Sequence, residues 1–266
     1  MNRTKILLVG CGKMGSALLE GWLGCGIAPA DIYVVEPGAV ENLQKLKVNI
    51  YPDHKGLPAD LDICLFAVKP QNFDEVVANY KFIDATKCIF ISIAAGKTID
   101  KMQSLLGTGA KIIRAMPNLP ATVSAGVTAI FCNKNVSASE KGRVTELLKC
   151  VGDVVEVSAE DQMDVVTAIS GSGPAYIFHL IESLSEIGKR SGLDEKVALT
   201  LAKNTVYGSG KLAMQSAKGP EQLRIDVTSK GGTTEAALKP LMDDKKLENL
   251  LQTAIKAAIA RAKELQ

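Results

Sequence analysis

The sequence predicts an α/β domain over residues 1–158 followed by an all-α domain over residues 159–266, and three observations carry that expectation. Continuous apolar runs rich in Ile and Val alternate with helix-like segments through the first part. A glycine-rich turn joins the first run to the first helix. Past Ser158 the strand-like runs stop and apolar residues recur at helical spacing.

The runs KILLVG, DIYVVE, DICLFAV, CIFISIA and KIIRA read as strands. They are apolar throughout, which suits a parallel sheet buried on both faces. Helical segments are expected at Gly15–Leu23, Val40–Leu46, Asn72–Ala78 and Thr98–Leu105. Two further strand runs, VTAIFC and DVVEVS, flank a helix opened by Ser137, and Glu140 three residues on completes a capping-box signature. In the second part Met163, Val166, Thr167 and Ser170 share a helical spacing. Longer helices are expected over Ala175–Gly188, Asp194–Ala217 and Leu247–Leu265. Small residues such as Ala202, Gly208, Gly210 and Ala213 would let those helices approach closely, and so apolar a unit of about a hundred residues points to a second subunit covering it.

Composition narrows the function classes. The chain has 266 residues, 47% of them apolar and 23% charged, as in a folded globular protein. A formal charge of +2 gives little electrostatic footprint for nucleic acid or an anionic membrane, and no apolar run reaches membrane-spanning length. The N-terminus enters a strand run at once, so no secretory signal is expected, and the location expected is cytoplasmic. Six scattered cysteines, Cys11, Cys25, Cys64, Cys88, Cys132 and Cys150, lack metal or disulfide spacing and are expected to be buried reduced thiols; no metal is expected. His54 and His179 are expected to be structural, so the chemistry should not require a histidine.

Gly10-Cys11-Gly12-Lys13-Met14-Gly15 fits G-x-G-x-x-G between a strand and a helix. Gly10 permits the tight turn, Gly12 lets the backbone reach a pyrophosphate, and Gly15 allows close helix–sheet packing. The helix N-terminus then favours the phosphate charge. Glu36 ends the second strand run, 21 residues after Gly15, where an acidic side chain takes a ribose 2′-hydroxyl and repels a 2′-phosphate. The candidate cofactor is thus NAD(P)H in a Rossmann-type domain, with Glu36 favouring NADH. Near the other end, Ser229 to Thr234 places hydroxyls and a Gly231-Gly232 pair before a helix starting near Thr234. That turn suits an anion such as a small carboxylate and equally suits a plain capped helix start.

Five motifs in order, the glycine loop, FAVKP at Phe66–Pro70, RAMPNLP at Arg114–Pro120, SGSGPAY at Ser170–Tyr176 and DVTSKGGTT at Asp226–Thr234, make the chain resemble a pyrroline-5-carboxylate reductase over essentially its whole length. The resemblance implies reduction of 1-pyrroline-5-carboxylate to L-proline, the last step of proline biosynthesis. It implies cofactor contacts at Ala67, Val68, Lys69 and Pro70, at Ala94, Ala95 and Gly96, and at Pro117 and Asn118 beside the nicotinamide. It further implies a substrate-carboxylate loop at Ser229, Gly231, Gly232, Thr233 and Thr234, with Thr234 bonding the ring nitrogen, and Glu160 and Asp226 near the substrate. Interlocked helices of a homodimer, with assembly into larger rings in some members, follow from the same resemblance. Lys230 stands where such proteins usually carry proline, and Asn204-Thr205 replaces a common Gln-Thr.

A protonated cyclic imine is already electrophilic, so hydride can add directly once both reactants are held close. Thr234 is expected to orient the imine nitrogen while backbone amides around Gly231–Thr233 clamp the carboxylate. The rival chemistry, a β-hydroxyacid dehydrogenase, would need a base such as Lys203. A sensor without turnover would have no evident need for both SGSGPAY and GGTT.

Overall fold

The computed structural model describes residues 4–38 and 41–265; Val40, the expected start of the second helix, lies outside them. An eight-stranded sheet forms from β1 (Ile6–Val9), β2 (Ile32–Val35), β3 (Asn49–Tyr51), β4 (Ile63–Phe66), β5 (Ile89–Ser92), β6 (Lys111–Met116), β7 (Gly126–Cys132) and β8 (Gly152–Glu156). Its order is β3-β2-β1-β4-β5-β6-β7-β8. Every neighbouring pair is parallel except β6–β7. The order reverses between β1 and β4, which creates the crevice where doubly wound sheets bind ligands. All seven expected strands form; the short edge strand β3 is an addition to them.

Side-chain alternation accounts for the continuous apolar runs. Ile6 and Leu8 of β1 enter one core with Leu18, Leu19 and Trp22 of α1 (Lys13–Gly24) and Val144 and Leu148 of α5 (Ala138–Lys149). Leu7 and Val9 enter the opposite core with Phe73 and Val77 of α3 (Phe73–Ala78) and Met102 of α4 (Ile99–Leu106). Burying such a side chain completely stabilises the fold by about 1.5–3 kcal/mol. Trp22, the only tryptophan in the sequence, is fully buried and donates its ring N–H to the Leu147 carbonyl at 3.1 Å. The second helix, α2, covers Glu41–Gln44. At α5 the expected capping box is present: Ser137 Oγ accepts the Glu140 amide, and the Glu140 carboxylate accepts the Ser137 amide at 2.9 Å.

The chain divides by compactness into two units, Met1–Ser172 with Ala258–Gln266, and Gly173–Ala257. The first holds the sheet, α6 (Gln162–Val166) and a single π-turn at Thr167–Gly171. The second is helical, built from α7 (Gly173–Arg190), α8 (Glu195–Gln215), α9 (Pro220–Asp226), α10 (Thr233–Met242) and the first part of α11 (Lys246–Glu264). α7 and α8 pack as a hairpin. Gly192 turns in the left-handed region at φ +100°, and Asp194 caps α8 by accepting the Lys196 and Val197 amides. A Cβ on Gly188 would come within 3.2 Å of Ala198 Cβ, so glycine there sets how closely the two helices meet.

Within the helical unit, Ala198 and Ala202 are the buried apolar side chains among the described residues. Phe178 (50% exposed), Leu201 (53%), Leu212 (54%) and Leu250 (68%) face outward. The cysteine expectation needs correcting: Cys64 and Cys88 are buried, but Cys11, Cys132 and Cys150 are half-buried and Cys25 is exposed. Cys25 follows the last turn of α1, where the chain reaches the surface. His179 also lies outside any core, exposed and 3.3 Å from Glu182 one turn along α7. Among the described residues no helix is long and apolar enough to cross a membrane, and no group of three or more candidate ligands could hold a metal ion.

Candidate active site

The glycine turn sits at the C-terminal end of β1, in the crevice. Gly10 has φ +91°, and a Cβ there would come within 2.8 Å of the Ala67 carbonyl. A Cβ at Gly15 would collide with the Gly10 carbonyl, while one at Gly12 would meet nothing within 4 Å. Gly10 and Gly15 are therefore fixed by packing, and Gly12 faces open space where a ligand can approach the backbone. Gly12 also begins α1 with no side-chain cap, and the first turn, Lys13 to Gly15, carries no acidic residue. Those amides and the helix dipole are available to a pyrophosphate. Lys13 is exposed and Met14 half-buried against the core.

Glu36 is held in the crevice by its neighbours. Its Oε2 accepts the Cys11 amide at 2.7 Å and its Oε1 accepts the Gly38 amide at 3.0 Å. The carboxylate thus ties the glycine turn to the end of β2, and it lines a 470 Å³ cavity with Gly10, Gly12, Ala67, Val68 and Lys69. The lining also contains Asp53, His54 and Tyr80, which the sequence did not single out as site residues. His54 stands edge-on to Tyr80 with ring centroids 6.2 Å apart, a packing contact within the cavity lining. Pro70 starts a short 3₁₀ turn directly after Lys69. The cavity thus joins an uncapped helix start and an amide-anchored carboxylate in one lining.

The adjoining strand ends carry the other expected cofactor residues. Ala94 donates its amide to Ser92 Oγ, Ala95 is half-buried, and Gly96 turns at φ +75°. Pro117 and Asn118 are buried. Asn118 Oδ1 accepts the Val127 amide at 2.9 Å and its Nδ2 donates to the Ser170 carbonyl at 3.2 Å, tying the turn after β6 to the π-turn. Glu160 is committed within this unit: its Oε1 accepts Arg114 Nη1 at 2.7 Å and the Ile99 amide at 2.8 Å.

The expected substrate loop belongs to the helical unit. Gly231 has φ +73°, a conformation that excludes most side chains, and a Cβ at Gly232 would collide with Ser229 Oγ. Gly232 begins α10 without a side-chain cap, which leaves the first-turn amides of Thr233 and Thr234 to find other partners. The expected clamp needs one correction. The Gly231 amide donates to Glu235 Oε2 at 2.7 Å, so the acid one turn on takes it in place of a ligand. Ser229 is exposed and Thr234 half-buried. Asp226 is paired with Lys218 at 2.6 Å and Gln222 at 2.9 Å; those two contacts hold its carboxyl below the usual range. Lys203, the base that hydroxyacid chemistry would use, is exposed on α8.

Two family models match the chain: one described as pyrroline-5-carboxylate reductase dimerisation over residues 160–265, and one described as NADP oxidoreductase coenzyme F420-dependent over residues 5–96. A pyrroline-5-carboxylate reductase of Methanosarcina acetivorans is 36% identical, covering 100% of this chain and 99% of the relative. A solved pyrroline-5-carboxylate reductase of Coxiella burnetii superposes with a TM-score of 0.94 at 36% identity, covering 100% and 99% of the two chains. A Plasmodium falciparum pyrroline carboxylate reductase solved with NADP bound gives a TM-score of 0.86 at 31% identity, with the same coverage.

Proposed function

The chain belongs to the pyrroline-5-carboxylate reductase family, and on that premise we propose how its residues serve the reaction. It is an NAD(P)H-dependent oxidoreductase that reduces 1-pyrroline-5-carboxylate to L-proline. The observation that best supports the residue assignment is the crevice at β1–β4, where an uncapped helix start and an amide-anchored carboxylate share one cavity.

In this reading residues 1–158 bind the cofactor, and residues 159–266 bind substrate and build the dimer. The amides of α1 take the pyrophosphate, and Gly12 gives it room. Glu36 takes the ribose 2′-hydroxyl and makes NADH the preferred cofactor. The nicotinamide end lies across the turns Ala94–Gly96 and Pro117–Asn118. When bound, the reduced nicotinamide supplies the hydride.

The protein's own contribution is orientation and charge. Thr233 and Thr234 amides at the start of α10 bind the substrate carboxylate, aided by the helix dipole. Thr234 Oγ1 bonds the imine nitrogen and keeps the protonated C=N bond turned for attack at carbon. Hydride addition then breaks the C=N π bond, and its electron pair becomes the lone pair of the neutral ring nitrogen, which solvent protonates. No side chain has to remove a proton, consistent with an exposed His179 and Lys203. The requirement is a near-attack distance of about 3–3.5 Å.

Outward-facing Phe178, Leu201, Leu212 and Leu250 support a homodimer formed through the helical unit. Unpaired cysteines support a reducing, cytoplasmic location. The assay is loss of reduced-nicotinamide absorbance with pyrroline-5-carboxylate, using NADH and NADPH side by side. Faster oxidation of NADH supports the whole reading; faster oxidation of NADPH removes the role given to Glu36. No oxidation with either, despite cofactor binding, removes the reductase assignment.

A further inference from the structure

A single oxygen, Glu160 Oε1, joins three separate parts of the sheet unit. It accepts from Arg114 on β6 and from the Ile99 amide in the first turn of α4, while Glu160 itself precedes α6. Ile99 follows Gly96 by three residues, and Arg114 precedes Pro117 by three. The two anchors therefore sit just beyond the two turns given above to the nicotinamide. We propose that Arg114 and Glu160 form a latch that holds those turns in register, making Glu160 a positioning residue for the nicotinamide end of the cofactor.

The physical case rests on burial and on what each partner would otherwise lack. Arg114 is 4% exposed, and a guanidinium that deep is costly without an anion. Thr98 already caps α4 locally by accepting the Lys101 amide at 3.2 Å, leaving the Ile99 amide for a tertiary acceptor. Glu160 satisfies both groups, and its negative charge sits favourably at the α4 N-terminus. Gly96, at φ +75°, gives the preceding turn backbone freedom that this anchor removes. On the far side, Asn118 holds the second turn through Val127 and Ser170. The latch and the Asn118 bonds thus grip the segment Arg114–Asn118 from both ends.

The inference rests on the proposed cofactor placement, and the test separates the two. Dissociation constants are measured for NADH and for ADP-ribose, which lacks the nicotinamide, with turnover alongside. Glu160→Gln is expected to raise the NADH Kd roughly tenfold and lower kcat by a similar factor, less than the hundredfold that a 1 Å misplacement can cost. Its ADP-ribose Kd should stay within about twofold of wild type. Equal weakening of both ligands, or of neither, overturns the latch. If Glu160→Gln does not fold, Glu160→Asp, which keeps the charge and withdraws the oxygens by one methylene, is judged by the same criteria. Ala95→Phe tests the placement alone by crowding the first turn. Should it leave NADH binding intact, the nicotinamide lies elsewhere, whatever Glu160 does.

Discussion

Replacing Glu36 by Gln tests the cofactor preference proposed above at the residue to which it is assigned. In wild type both carboxylate oxygens accept backbone amides, from Cys11 and Gly38, so the carboxylate is fixed in the cavity wall. A 2′-phosphate placed about 5 Å away would be repelled by about 3 kcal/mol per unit charge at an effective dielectric of about 20. The cleft is open, and salt screening reduces this to about half. A 2′-hydroxyl bonded to a charged acceptor contributes about 1.5 kcal/mol that a neutral amide largely forgoes. Counting a single phosphate charge, these amount together to about 3 kcal/mol, or at least roughly a hundredfold in the ratio of NADPH to NADH dissociation constants, since the second phosphate charge adds to it. Glutamine keeps one acceptor oxygen, so one of the two amide bonds is lost and the glycine turn loosens. That loosening weakens both cofactors alike and cancels from the ratio, which is therefore the quantity to measure, by nicotinamide fluorescence titration at fixed salt. A ratio that Glu36→Gln leaves within about threefold of wild type would refute the electrostatic argument.

Three further outcomes are expected. Thr234→Ala should lower kcat by about ten- to a hundredfold with NADH binding unchanged, whereas Thr234→Ser should retain most activity; steady-state kinetics with pyrroline-5-carboxylate decides it, and equal turnover in all three removes Thr234 from the mechanism. Burial pushes the Glu140 carboxyl up, but the Lys111 ammonium and the Ser137 amide and hydroxyl outweigh it and hold the group at about 2. A carboxyl depressed in the folded state stabilises above its unfolded pKa of 4.5 and loses that contribution as pH falls toward 2. Lys111→Met should therefore move the acid unfolding transition to higher pH, followed by circular dichroism; an unmoved transition contradicts the assignment. Leu250→Glu should convert the dimer to monomer in size-exclusion chromatography with light scattering, and an unchanged dimer would locate the interface away from that part of α11.

Much of the architecture was legible because the physics that shapes it is local. An apolar run such as Ile6–Val9 has to be buried on both faces, and the structure divides its side chains between two cores. The Ser137 and Glu140 pair marked a helix start for the same reason: its partners are three residues apart. Strand β3 leaves no such mark, because Asn49–Tyr51 is three residues long and half-buried, too short to show a period. Nor does an apolar run reveal direction, and β7 runs antiparallel to β6 although its sequence resembles its neighbours. In the site, the glycine turn and Glu36 were readable from spacing. The Asp53, His54 and Tyr80 wall was not, since those residues meet only after β3 and α3 are in place. Arg114 and Glu160 lie 46 residues apart, and no sequence rule pairs charges at that distance. The partner of the Gly231 amide is not legible either, since nothing in the sequence signals that Glu235 turns back to take it.

The burial of Trp22 has an experimental consequence. As the sole indole, fixed on α1 by packing in the sheet unit and by its bond to Leu147 of α5, it makes intrinsic fluorescence a single-site signal. Its emission will follow melting of the cofactor-binding core and stay silent when helices α7 to α10 loosen or subunits part. Because that emission overlaps the absorption band of reduced nicotinamide, quenching through energy transfer can report cofactor arrival in the same sample. One chromophore thus separates two events, unfolding and loading, that an activity assay would merge.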